Sequence, residues 1–191
     1  MIPSISEIKR NLQATLTFMR FDGSGVRYLD VNPTSFWKSF FAAVICFPGA
    51  YFLSTLHETE TTSSLEPFAT LLIDTLFYVI SWLVYPVFMH ALLVLHNKQE
   101  NYRIFIIGYN WLQVWQMAFL ICLQLLIGSG VFPTSATGFI GFFGMLYILA
   151  SQGYMTKTTL KTNWLSASAF VLFNIILAMS IYELNERVLA S

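Results

Sequence analysis

Five stretches of the chain are apolar over lengths that ordinary core helices rarely reach, and the polar residues between them fall into short clusters. A bilayer's hydrocarbon core, about 30 Å thick, is crossed by roughly 20 apolar residues in a helix. By that measure the pattern predicts spans over 36–56, 68–95, 103–127, 137–155 and 164–183. Trp37 marks the start of the first span and Pro48 a kink within it. The second is longer than a bilayer needs, so it tilts, protrudes or kinks at Pro86. His57–Glu66 reads as an acidic, Thr/Ser-rich loop, and His96–Tyr102 as a short polar one. Gly128–Ala136 is an uncharged turn, Thr156–Asn163 another short loop, and a brief charged tail follows Tyr182.

Residues 1–32 are patterned differently from 33–191. Ser4 and Glu7 have the spacing of a capping box. Beyond them Ile5, Ile8, Leu12, Leu16 and Met19 recur on one side of a helix over 4–20, with Arg10, Gln13 and Thr17 opposite. Such a helix either lies in the membrane interface, with Lys9, Arg10 and Arg20 near anionic headgroups, or packs on the end of the bundle. Phe21–Gly25 ends it, and Asn32-Pro33 supplies an N-cap and a first-turn proline for the next helix. The fold class is therefore all-α: a polytopic membrane bundle of five transmembrane helices behind an N-terminal amphipathic helix.

Composition points the same way. Of 191 residues, 56% are hydrophobic and only 10% charged, against about 25% in a soluble domain. The net charge of zero gives no reason to expect a nucleic-acid partner. The placement of charge says more. Lys9, Arg10, Arg20, Arg27 and Lys38 precede or open the first span; Lys98 and Arg103 separate spans two and three; Lys157 and Lys161 separate four and five. Arg187 alone falls on the other side, with Glu58, Glu60, Glu66, Glu183 and Glu186. The positive-inside rule then places the N-terminus in the cytoplasm and the C-terminus outside, in a membrane expected to be a bacterial inner membrane. No signal-peptide pattern precedes the first span, so that span is expected to direct insertion itself. Cys46 and Cys122, both inside apolar runs, read as buried thiols.

Charged and amide side chains are costly in hydrocarbon, which makes each a candidate site. Asp74 stands about 10 Å inside the second span, and Tyr78, Ser81 and Tyr85 share its face. Its carboxylate is expected either to bond to a tyrosine near the interface or to serve proton or cation passage. In the third span Asn110, Gln113, Gln116 and Gln124 lie within about 120° of one another. They either line a polar pathway or tie helices together, with Asn174 of the fifth span as a partner in both cases. Gly138, Gly141 and Gly144 predict a packing seam on span four. His57, His90 and His96 lack metal-ligand spacing, and HExxH, phosphate-loop and Gly-x-Ser-x-Gly patterns are missing, so no metal, cofactor or enzymatic activity is expected.

The segment Asp30-Val-Asn-Pro-Thr-Ser-Phe-Trp-Lys-Ser-Phe-Phe-Ala-Ala-Val-Ile45, opening the first of five spans, resembles the start of bacterial Yip-like proteins and of uncharacterised five-span alphaproteobacterial inner-membrane proteins. The resemblance implies a cytoplasmic N-terminal segment, five helices and an outward C-terminus. It carries over no functional residue, since the short motifs of eukaryotic Yip members do not occur here. The sequence favours a non-enzymatic membrane scaffold or accessory subunit. Its partners would be the lipid bilayer and other integral membrane proteins, or further copies of itself. The alternative is a small transporter or proton-linked permeation module built on Asp74 and the span-three amides.

Overall fold

The computed structural model describes residues 2–57 and 66–190, all helices and short connections. Most of the expected loop His57–Glu66 lies outside the described residues. The first helix, α1, covers Ile5–Met19 and carries the full capping box: Ser4 Oγ accepts from the Glu7 amide, and Glu7 accepts from the Ser4 amide at 2.7 Å. A 3₁₀ turn over Gly23–Tyr28, capped by Asp22, folds back against α1. Asn32 then caps α2 (Pro33–Ser39), as the Asn-Pro pair predicts.

Three expectations are revised along the spans. The first breaks at Phe40, between α2 and α3 (Phe41–His57), while Pro48 stays within α3. The fourth span, α6 (Thr134–Leu160), absorbs most of the loop expected at Thr156–Asn163; only Lys161 to Asn163 connect it to α7. That seventh helix runs Trp164–Leu189, so the expected charged tail after Tyr182 is helical. Between these, α4 spans Pro67–Leu95 and α5 spans Tyr102–Gly128, close to expectation. Among the described residues five stretches are long and apolar enough to cross a bilayer, and the protein is an integral membrane protein.

The bundle is organised around α5. Its residues Phe105 to Leu112 are buried on every side, which a lipid-facing helix never is. The surrounding helices are α1, α2, α3, α6 and, more lightly, α4, while α7 closes against α4 and α6. Around this collar lies a core of Phe18, Tyr85, Met89, Leu93, Phe105, Trp111, Met155 and Leu160. Toward the opposite end the helices turn apolar side chains outward, among them Leu72, Leu76, Phe139, Phe142, Phe143 and Met179. Outward apolar surface of that kind is stable only against hydrocarbon or another protein.

α1 packs on the bundle. Asn11, Ala14, Thr15, Phe18 and Met19 are buried, Trp115 Nε1 donates to the Leu12 carbonyl at 2.9 Å, and Tyr147 Oη donates to the Met19 carbonyl at 2.6 Å. Trp115 and Tyr147 sit about half-way along α5 and α6, some 20 Å from their ends. Lys9, Arg10 and Arg20 remain on α1's exposed face, where Arg10 pairs with Asp30 at 3.5 Å. Lys98 closes the same end: its ammonium donates to the Leu160 and Lys161 carbonyls, where Lys161 ends α6 at φ 49°.

Candidate ligand-binding cavity

The polar residues picked out in α4 lie on one stripe, and the fold gives that stripe two adjoining cavities. An inner chamber of about 150 Å³ lies between α4, α5 and α7, lined by Ser81, Tyr85, Tyr109, Gln113 and Asn174 among others. An outer cleft of about 270 Å³ lies between α3, α4 and α7 and contains Asp74, Tyr78 and Asn185. Ser81, Ala178 and Ile181 line both. From Asp74 to Tyr85 the lining follows α4 for about 16 Å. In the chamber wall the Tyr85 ring lies 4.7 Å from the Tyr109 ring and 6.2 Å from Phe105, centroid to centroid.

Hydrogen bonding inside the chamber is incomplete. Gln113 Nε2 donates to Tyr109 Oη at 2.9 Å, and Tyr109 Oη donates to Asn174 Oδ1 at 3.3 Å, so the three join α5 to α7. Ser81 spends its proton on the Tyr78 carbonyl of its own helix. Tyr85 is 1% exposed and its hydroxyl has no partner. A buried hydroxyl without a partner costs about 1–3 kcal/mol, which a water or a small polar ligand in the chamber would relieve.

The outer cleft corrects the expectation for Asp74. Its partner is not Tyr78 but Asn185, whose Nδ2 donates to Asp74 Oδ1 at 2.8 Å from the extended part of α7. Tyr78 instead donates to the Ala43 carbonyl at 2.7 Å and packs edge-on to Phe47, joining α4 to α3. Asn185 Oδ1 is buried and unpartnered. Arg187, the cation nearest in sequence, is paired with Glu183 at 3.1 Å.

The span-three amides divide among different tasks. Gln113 faces the chamber. Asn110 donates to Ser39 Oγ of α2 at 2.9 Å, and Gln116 donates to the Ile148 carbonyl and Ser151 Oγ of α6, both at 3.2 Å. Those two are joints between helices, each contributing about 0.6–2 kcal/mol. Gln124 lies farther along α5, half-buried, and lines neither cavity. In the glycine series only Gly144 forms a close seam, against Leu123 of α5; Gly141 meets Ile127 at ordinary distance and Gly138 faces open space. Cys46 is buried as expected, but Cys122 is exposed. His90 packs edge-on against Tyr102 at 5.0 Å, and His96 Nδ1 donates to the Leu92 carbonyl at 2.8 Å. Among the described residues no cluster of metal-ligating side chains forms.

Tyr109 and Asn185 are the site residues that the sequence reading passes over. Tyr109 carries a usable signal, standing one helical turn before Gln113. Asn185 carries none, because only the continuation of α7 brings it to Asp74. Comparison with known proteins adds no relative: no family model, curated protein or solved structure matches this chain.

Proposed function

We propose that the protein is a non-enzymatic solute-binding module of the membrane, forming the outer half of a permeation route. One observation carries this reading: Ser81 and Tyr85 of α4, Tyr109 and Gln113 of α5, and Asn174 of α7 converge on one chamber that adjoins the Asp74 cleft. Gln116, by contrast, is tied to the Ile148 carbonyl and the Ser151 hydroxyl and lines neither cavity. The chamber's amides and phenols bind by hydrogen bonding, which supports a binding role over a chemical one.

The orientation within this proposal follows the gathering of nine of ten basic residues at the α1 end, with Arg187 opposite. The N-terminus is then cytoplasmic and the cleft faces outside, in a bacterial inner membrane. The Yip-like resemblance of the Asp30–Ile45 segment fits the same topology. A scaffold or accessory-subunit role stands as a second reading on one feature: Phe139, Phe142 and Phe143 of α6 project outward without a bundle partner, a face suited to another transmembrane helix.

Thiol accessibility separates the two. In a background lacking Cys46 and Cys122, Ser81→Cys and Gln113→Cys are expected to react with a small impermeant methanethiosulfonate added from outside. Gln116→Cys, buried at the α5–α6 joint, stays unreacted. Protection of both Ser81→Cys and Gln113→Cys in folded protein would leave the scaffold reading. Proton flux in proteoliposomes that is lost in a stable Asp74→Asn variant would make the route proton-linked.

A further inference from the structure

The outer cleft has the composition of a site for an amphiphile with one polar end. Phe47, Tyr51, Leu71, Phe77 and Ile181 give it walls that are mainly apolar, and its polar end is the Asp74–Asn185 pair. At about 270 Å³ it has room for some nine water-sized groups. Of the other hydroxyls around it, Ser54 donates to the Tyr51 carbonyl and Thr75 to the Leu71 carbonyl, both at 2.8 Å, and Tyr78 donates across to the Ala43 carbonyl at 2.7 Å; the Tyr51 and Tyr182 phenols line the apolar walls.

What the polar end offers is acceptors. Asn185 gives one amide proton to Asp74 Oδ1, and neither Asp74 Oδ2 nor the buried Asn185 Oδ1 accepts from a described residue. Among the described residues no cation pairs with Asp74, since Arg187 is held by Glu183. An anionic head is opposed by Asp74 itself and by Glu183 and Glu186 at the same end. A quaternary ammonium supplies charge but no N–H for the two vacant acceptors.

We propose that this cleft binds the primary ammonium head of an amphiphile, with N–H donors on Asp74 Oδ2 and Asn185 Oδ1 and the apolar body between α3 and α4. The inference rests on reading the cavities as a ligand site and adds the chemical class of the ligand. Two sources present this chemistry, an aminophospholipid of the surrounding leaflet and a free alkylamine.

The test uses full-length protein in phosphatidylcholine nanodiscs, whose quaternary heads lack N–H donors. Thermal unfolding is followed on adding decylamine, decyltrimethylammonium or decanol, and separately in discs containing phosphatidylethanolamine. Decylamine is expected to raise the midpoint at concentrations at least tenfold below those needed for decyltrimethylammonium, and Asp74→Asn is expected to erase that difference. Glu183→Gln, outside the cleft, is expected to retain it. Stabilisation by phosphatidylethanolamine identifies the lipid as occupant; stabilisation by decylamine alone identifies the free amine. Equal response to the amine and the quaternary compound overturns the ammonium assignment. If that equal response is lost when Ala178→Phe fills the junction of the two cavities, the ligand-site reading survives; if Ala178→Phe changes nothing, that reading fails as well. The wild-type comparison holds even if a variant does not fold.

Discussion

The contact between α1 and the 3₁₀ turn gives the most exacting test of the packing. A methyl group placed on Gly25 falls 2.9 Å from the Ala14 carbonyl carbon, and closer still to its oxygen and to Thr17 Oγ1. The Ala14 atoms are backbone, so no rotamer change relieves the overlap; α1 and the turn must separate by about 1 Å. Overpacking of this kind costs about 1–3 kcal/mol, and displacing the 2.7 Å bond from Thr17 Oγ1 to the Ala14 carbonyl adds about 1 kcal/mol. Gly25→Ala is therefore expected to destabilise by about 2–4 kcal/mol. Gly138→Ala is the control: nothing stands within 4 Å of the added carbon, and replacing a helical glycine stabilises by about 0.5–1 kcal/mol. Equilibrium unfolding in mixed micelles, with protease cleavage of α1 as a second readout, measures both. A Gly25→Ala protein as stable as wild type, with α1 still protected, would refute this account of how α1 is seated.

Further expectations concern the joints, the ion pair and the topology. Gln116→Leu is expected to cost about 1 kcal/mol in the same unfolding assay, because Ser151 keeps its bond to the Ile148 carbonyl and no new orphan forms. Glu7 is held at a pKa of about 2, first by its hydrogen bond from the Lys38 ammonium at 2.8 Å and then by the Ser4 amide. A depressed carboxylate stabilises the fold fully above its ordinary value of 4.5, and that contribution is lost as pH falls from there through about 2. Melting midpoints at pH 6 and pH 3 are thus expected to differ more for wild type than for Glu7→Gln; equal differences would contradict the pairing. For the proposed orientation, Gln99→Cys is expected to resist an impermeant maleimide in intact cells while Ser129→Cys reacts; both side chains are exposed. Thr159, on the same end as Gln99, is 1% exposed and unsuited to such labelling.

Hydrophobic spacing determined the five spans and the amphipathic α1, and capping residues the helix starts at Ser4 and Asn32, because those features depend on residues within one or two turns of each other. The stripe of Asp74, Ser81 and Tyr85 was legible for the same reason, being one face of a single helix. Which amides on α5 are joints and which face a cavity was not legible. Asn110, Gln113 and Gln116 have the same chemistry and fall within about 120° of one another, and only the positions of α2, α6 and α7 assign them different tasks. Asn185 reaches Asp74 across 111 residues of chain because α7 continues past its apolar stretch, a continuation that hydropathy does not record. Nor does periodicity choose between membrane interface and bundle for α1. The close approach at Gly25 and the carbonyls that accept from Trp115 and Tyr147 made that choice, and such contacts arise only when distant segments have packed.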